Sequence, residues 1–374
     1  MERTITIATA SVTPLIQALP RWTVIAPLLG LVAVLFDPSG SVLLATIASL
    51  ILIAAVIAAV HHAETIAHQV GEPFGTLILA VAVTVIETSL IISMMLSDSP
   101  GEAGLARDTI FAALMIVMNG IIGLCLLAGG SLHHEQQFTR YGVSAGLAML
   151  ATLSILTLVL PNYTTSEAGP YYTDGQLVFV ALISLVIYAT FVVAQTVRHR
   201  EYFLHAGTDP DGEEEEEHVP PLPRGAMALS GLLLMAALVA VVLLAKGLSP
   251  LITAAVINAN APRAVVGIII AALVLLPEGL AAWRAARRNH LQTSLNLALG
   301  SALATIGLTI PAVTVAALVL DLNLALGLSQ TSIVLLILSL FVTSLSLGTG
   351  RTTIVQGVLH LVLMATFLFT TLVP

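Results

Sequence analysis

Charge is what this sequence has least of. Asp, Glu, Lys and Arg make up 9% of its 374 residues, against about 25% in an average soluble domain. So small a charged fraction cannot wet the surface of a folded chain this long, and lipid is therefore expected to be the solvent for much of it. Cysteine is almost missing: Cys125 stands alone in an apolar run, which excludes an internal disulfide framework and leaves the redox compartment unreadable. No phosphate-binding Gly-x-x-x-x-Gly-Lys-Ser/Thr loop and no Cys-x-x-Cys pair occur, so ATP-driven transport lacks support. The first residues, MERTITIATASVTPLIQALPR, lack the order of a signal peptide, and no cleaved leader is expected.

What is present is apolar length. Apolar residues reach 57%, and the mean hydropathy is +1.02. A bilayer core is about 30 Å thick and takes about 20 apolar residues per helix. Backbone groups in lipid must be satisfied internally, so such runs read as helices. The short alternating segments of a membrane barrel are absent. Spans are expected near 20–36, 40–60, 74–96, 109–130, 141–160, 176–197, 225–248, 264–282, 292–318, 323–346 and 352–373. The fold expected is thus an all-α integral membrane protein of about eleven transmembrane helices. If the N-terminus is cytoplasmic, that side holds Arg3, Arg21, Arg140, Arg198, Arg200, Arg224, Arg284, Arg287, Arg288 and Arg351, against Arg107, Lys246 and Arg263 outside. This positive-inside bias puts the C-terminus outside.

The net charge of -8 says little about partners, because seven of the 21 acidic residues crowd into Asp209–Glu217. They lie in the one long polar stretch, 198–224, which reads as a solvated linker or as a cytoplasmic cation-attracting segment. The halves on either side are alike. Aligning TLILAVAVTVIETSL (76–90) with GIIIAALVLLPEGLA (267–281) brings Glu87 onto Glu278, and the next spans share Ile-Gly-Leu at 122–124 and 306–308. Five spans separate the equivalents, so they enter from opposite sides, as in transporters with inverted repeats that bind substrate near the midplane. The organisation expected is a tail and extra helix (1–36), a first five-helix repeat (37–197), the linker (198–224) and a second five-helix repeat (225–374).

Glu87 and Glu278 are the acidic residues placed well inside spans. A charge at the bilayer centre costs at least ~2.5–3.5 kcal/mol, and intramembrane ionisable residues are functional candidates by default. The alternative is a pair of protonated, hydrogen-bonded structural glutamates. Ionised, the two would offer hard oxygens to Ca²⁺, which takes six to eight; protonated, they would let it go. Competition of proton and cation for one site is the physical core of an antiporter. Pro277 before Glu278 suggests a broken helix whose freed carbonyls could coordinate a cation. Asn119 and Asn296 could add neutral oxygens or serve as interhelical bonds, and Ser301 is a further candidate. His360 in the last span could relay protons or simply be a satisfied histidine. HHAETIAH (61–68) reads as a solvated helix end and His133-His134-Glu135 as a loop pair rather than as metal clusters, and Asn162-Tyr163-Thr164 as a chance match to a glycosylation acceptor.

HHAETIAHQVGEPFGTLILAVAVTVIETSLIISMM and LLPEGLAAWRAARRNHLQTSLNLALGSALATIGLTIPA resemble the ChaA-type bacterial calcium/proton antiporters, in the cation/proton exchanger branch of the calcium/cation antiporter superfamily. The resemblance covers nearly the whole chain. It implies one extra N-terminal helix before two inverted five-helix repeats, an acidic segment between them, and exchange of cytoplasmic Ca²⁺ for external protons. It also implies an association with Na⁺/H⁺ and K⁺/H⁺ exchange. The family's essential glutamates map onto Glu87 and Glu278, without the Gly-Asn pair that vacuolar-type exchangers carry four residues ahead.

The function expected is Ca²⁺ export against H⁺ by alternating access in a bacterial inner membrane, with Glu87, Glu278, Asn119, Asn296 and Ser301 around the ion. A monovalent cation/proton antiporter would use the same residues. A channel would use a ring of symmetry-related carboxylates or carbonyls, whereas these two glutamates come from inequivalent repeats, and an enzyme would need a nucleophile–base pair or metal ligands in the spans. No cofactor beyond the transported ions and no nucleic-acid partner is expected; the oligomeric state is open.

Overall fold

The computed structural model describes residues 19–36, 38, 41–70, 74–96, 102–203, 223–259, 261–262 and 264–373. The acidic run Asp209–Glu217, the N-terminal tail up to residue 18, and Arg263 lie outside the described residues. Among the described residues eleven helices follow one another: α1 (Arg21–Ala33), α2 (Val42–Val70), α3 (Phe74–Met95), α4 (Leu105–His133), α5 (Arg140–Asn162), α6 (Asp174–Arg198), α7 (Arg224–Asn258), α8 (Ala264–Arg287), α9 (Leu291–Leu320), α10 (Gln330–Leu347) and α11 (Ile354–Leu372). Among the described residues nine are long and apolar enough to cross a membrane, while Arg21–Ala33 and the stretch Ile78–Ser93 are shorter apolar helices. Helices apolar on all sides pack only in a protein core or in lipid. Here Val178, Phe179, Leu182 and Val186 of α6 and Val355, Val358 and Val362 of α11 stay exposed, which is a lipid-facing surface. The fold is that of an extra helix, α1, followed by two inverted five-helix repeats, α2–α6 and α7–α11.

Two compact units form. One comprises Met1–Ala82 with Glu215–Leu248, the other Val83–Glu214 with Ser249–Pro374. Within the first, α1 meets α2 where His62 Nε2 lies 2.9 Å from the Thr23 carbonyl oxygen and Trp22 tilts over His61, ring centroids 5.8 Å apart. α1 also touches α7, close enough that a Cβ on Gly30 would come 2.8 Å from Ala240 Cβ.

In the second unit α4 is the enclosed helix: Ile110, Leu114, Met115, Met118 and Ile122 have no exposed surface. α11 presses on it through Gly123, where a Cβ would stand 3.0 Å from His360 Cβ. Such close approach between small residues is how helices associate without a hydrophobic drive. The loops at the two ends of this unit follow one pattern. At one end the α4–α5 connection pairs with the α10–α11 connection, as strands β1 (Gln136–Gln137) and β2 (Arg351–Thr352), antiparallel with Gln137 opposite Arg351. At the other end the α9–α10 connection bonds to the α5–α6 connection: Tyr171 bridges Ala325, and the Leu326 and Gly327 amides donate to the Pro170 carbonyl. Exchanging the repeats converts one pairing into the other.

The span expected at 323–346 begins later, at Gln330. Asp321 takes a left-handed conformation, φ 53°, that ends α9, and Ser329 caps α10 through the Ser332 amide. Leu324, Leu326 and Leu328 between them are buried, so their hydrophobicity belongs to a packed loop rather than to a helix.

Candidate functional site

Glu87 lies in the part of α3 that belongs to the second unit and is 2% exposed. Its carboxylate accepts a hydrogen bond from the Thr309 hydroxyl at 3.0 Å, and the Thr305 side chain lies within its electrostatic reach. Glu278, on the equivalent helix α8, is half-buried and accepts from the Ser301 hydroxyl at 3.1 Å. All three hydroxyls stand on α9, at every fourth residue. One turn, about 6 Å along the axis, separates Ser301 from Thr305. A single helix therefore offers one polar stripe to both glutamates, one from each repeat.

That stripe needs help from the backbone. Steps of four residues overshoot an α-helical turn by about 40° each, so the hydroxyls would wind away from the glutamates. α9 contains a π turn over Thr305–Thr309, which takes an extra residue into the turn and reduces the overshoot. Its cause is Pro311, which has no N–H for the Gly307 carbonyl and whose ring collides with it. The same event recurs in α5, where the π turn Ile155–Val159 also ends two residues before a proline, Pro161. There the Tyr172 hydroxyl donates to the loosened Leu156 carbonyl at 2.7 Å. α4 carries its own π turn, Ile116–Ile121, around Asn119 and Gly120. Wide turns of this kind gather at functional sites. Pro277 does not break its helix, contrary to the sequence-based expectation: α8 runs unbroken through it from Ala264 to Arg287, because one missing bond, at the Leu273 carbonyl, is tolerated in a packed helix.

The asparagines bond elsewhere. Asn119 is fully buried; its Nδ2 donates to Ser339 Oγ of α10 at 2.8 Å and lies 3.7 Å from Met115 Sδ, while its Oδ1 lies 3.4 Å from His360 Nδ1 of α11. Its π turn nevertheless borders the site, since a Cβ on Gly279, next to Glu278, would meet Ile121 Cδ1 at 3.0 Å. Asn296 donates to the Phe203 carbonyl at 2.6 Å and accepts from Gln292 Nε2 at 2.9 Å. Gln292 Oε1 in turn accepts from the Thr139 amide at 2.7 Å. This chain ties α9 to the connections at the β1–β2 end. Thr305, Thr309 and Ser339, which the sequence reading did not single out, and His360, which it took as a proton relay or a satisfied histidine, thus complete the polar surroundings of Glu87 and Asn119. The four-residue recurrence of Ser301, Thr305 and Thr309 inside an apolar run was the available signal.

The remaining motifs have other uses. Among the described residues no group of three or more His, Cys, Asp or Glu is placed to hold a metal ion. His133 Nε2 lies 2.9 Å from the Arg287 carbonyl oxygen and joins the ends of α4 and α8. Asn162 donates to the Leu328 carbonyl at 2.8 Å, so its amide is engaged in holding the loops. Gly142-Val143-Ser144-Ala145-Gly146 has the spacing of a nucleophile elbow but lies within α5, not on the strand-to-helix turn that exposes such a serine. Arg107–Asp108 at 2.7 Å and Arg351–Glu135 at 3.2 Å pair at helix ends.

The sequence matches the model of the family described as sodium/calcium exchanger protein over residues 40–197 and 229–373. It is 47% identical over 364 residues to the ionic transporter y4hA of Sinorhizobium fredii, covering 95% of this chain and 97% of that one. It is 35% identical over 311 residues to the sodium-potassium/proton antiporter ChaA of Escherichia coli, covering 83% of this chain and 84% of that one. The fold is similar to that of native YfkE, with a TM-score of 0.70 at 14% identity, covering 95% of this chain and 99% of that one. It is also similar to the H⁺/Ca²⁺ exchanger CAX, with a TM-score of 0.66 at 12% identity, covering 95% of this chain and 87% of that one.

Proposed function

Because the chain belongs to the sodium/calcium exchanger protein family, whose members are multi-pass membrane antiporters and not enzymes, we propose that it exports Ca²⁺ from the cytoplasm in exchange for H⁺. One observation carries the reading: Glu87 and Glu278, from equivalent helices of inverted repeats, are hydrogen-bonded to hydroxyls of one helix, α9. Two carboxylates balance one divalent charge, and the hydroxyls of Ser301, Thr305 and Thr309 can turn their lone pairs to an ion when they no longer donate to the acids. Ca²⁺ favours such a set of hard oxygens. Two protons neutralise the same pair, so the site carries either the cation or the protons across. Asn119 and Asn296 would join the ion through the second lone pair of an amide oxygen that already has one hydrogen-bond contact.

The positive-inside bias supports a cytoplasmic N-terminus and an external C-terminus in the inner membrane. With that orientation the β1–β2 end faces the cytoplasm and the Tyr171–Ala325 end faces out. Alternating access opens the site to one side at a time.

A second reading rests on the relative named a sodium-potassium/proton antiporter: the same pair carries a monovalent ion with one carboxylate protonated. Proteoliposomes holding a pH gradient, acid inside, separate the two. Micromolar Ca²⁺ is expected to collapse the gradient, and Glu87→Gln and Glu278→Gln are each expected to abolish the effect. Collapse by Na⁺ or K⁺ alone would establish the monovalent reading. Full activity in either variant would remove that glutamate from the mechanism.

A further inference from the structure

His360 is a buried histidine in the middle of an apolar helix, and neither ion exchange nor helix packing by itself accounts for its bonds. Its state follows from its neighbours. Asn119 turns one end of its amide to Met115 Sδ and Ser339 Oγ, and Ser339 Oγ lies 3.6 Å from the same sulfur. A thioether accepts and never donates, so the NH₂ end belongs on that side and Oδ1 faces the imidazole. Among the described residues Nε2 has no partner, and the Asn119 oxygen facing Nδ1 only accepts, so Nδ1 carries the proton. His360 is the Nδ1–H tautomer, held against α4 because Gly123 lets α11 come close.

We propose that His360 is a positioning residue for the transported cation: with Ser339 it fixes the Asn119 amide so that its oxygen stays oriented at the α4 π turn, which borders Glu278. The inference rests on the cation reading above, in which Asn119 joins the ion. Residues that orient a ligand without touching the metal typically change its affinity 10–100-fold. Repeat 2 supplies both holders of a repeat 1 side chain, so the orientation is set across the two repeats. The amide oxygen has two lone pairs, so Asn119 can offer one to the ion while the His360 and Ser339 contacts hold the group.

The tautomer supplies the test. An asparagine amide nitrogen occupies the place of Nδ1, whereas a glutamine nitrogen occupies that of Nε2. His360→Asn is therefore expected to keep the cation concentration for half-maximal exchange within about twofold of wild type. His360→Gln, His360→Leu and Ser339→Ala are expected to raise it about 10-fold or more, with the maximal rate little changed. Binding is read separately, by the rise in melting temperature that Ca²⁺, Na⁺ or K⁺ gives the purified protein, and it should weaken in the same order. Wild-type half-saturation in His360→Gln and Ser339→Ala would overturn the proposal. So would equal loss in His360→Asn and His360→Leu with unchanged melting, because the ring and not its Nδ1–H would then matter. A wild-type protein that binds cation with this His360 dependence but exchanges none for protons would sink the antiport reading and leave His360 in place.

Discussion

At the scale of single residues the molecule repeats one device: a side-chain hydroxyl satisfies a group that the membrane cannot. Thr309 does so for Glu87, Ser301 for Glu278, and Tyr172 for the Leu156 carbonyl. Tyr172 lies outside the spans, and burial pushes its phenol up to about 12. The folded value lies above the usual value of about 10, so the bond stabilises the protein fully below about pH 10 and is lost as pH rises through about 12. Tyr172→Phe leaves the carbonyl without its donor and is expected to cost about 1–2 kcal/mol at neutral pH. Thermal or denaturant unfolding in detergent would measure it, and the difference from wild type should vanish in strong alkali.

At the scale of elements, prolines write π turns into helices that remain helices. In Pro311→Ala the Gly307 carbonyl regains a donor, so α9 is expected to close into regular α-helix, turning Thr305 and Thr309 relative to Ser301. The variant should melt higher, since a Pro-to-Ala change inside a helix restores a backbone bond. It should also need several-fold more cation for half-maximal exchange. Unchanged affinity in the variant would separate the π turn from the site. This is also where the sequence was least readable. The helices stood out because lipid demands long apolar runs, and Glu87 and Glu278 because a charge in such a run is costly. Pro277 and Pro311 look alike in sequence, yet the first leaves α8 regular and the second widens α9. The partners of Asn119 were invisible for a different reason: Ser339 and His360 belong to helices far along the chain, and no local pattern encodes which apolar faces meet. At 322–329 hydrophobicity reported burial correctly and helix incorrectly.

At the scale of the whole chain, the paired connections at both ends brace the second unit. Gln137 and Arg351 face each other as a non-hydrogen-bonded antiparallel pair, for which Cα atoms stand about 4.5 Å apart, within disulfide reach. Gln137→Cys with Arg351→Cys, in a background lacking Cys125, is expected to cross-link and to exchange at close to the wild-type rate, because the brace need not open during transport. Arrest of exchange on oxidation, relieved by reduction, would show that the transport motion passes through this pairing.

The same pairing has a consequence for biosynthesis. Each brace joins a connection made early by the ribosome to one made near the end, so neither forms while the chain is being inserted. After α6 is in the membrane, Gln136–Gln137 and the Tyr171 loop still await strands and loops that have not been translated. The first half therefore crosses the bilayer as helices with unfinished ends, exposed to proteases. A chain truncated after α9 would carry a complete acidic pair and remain a target for degradation.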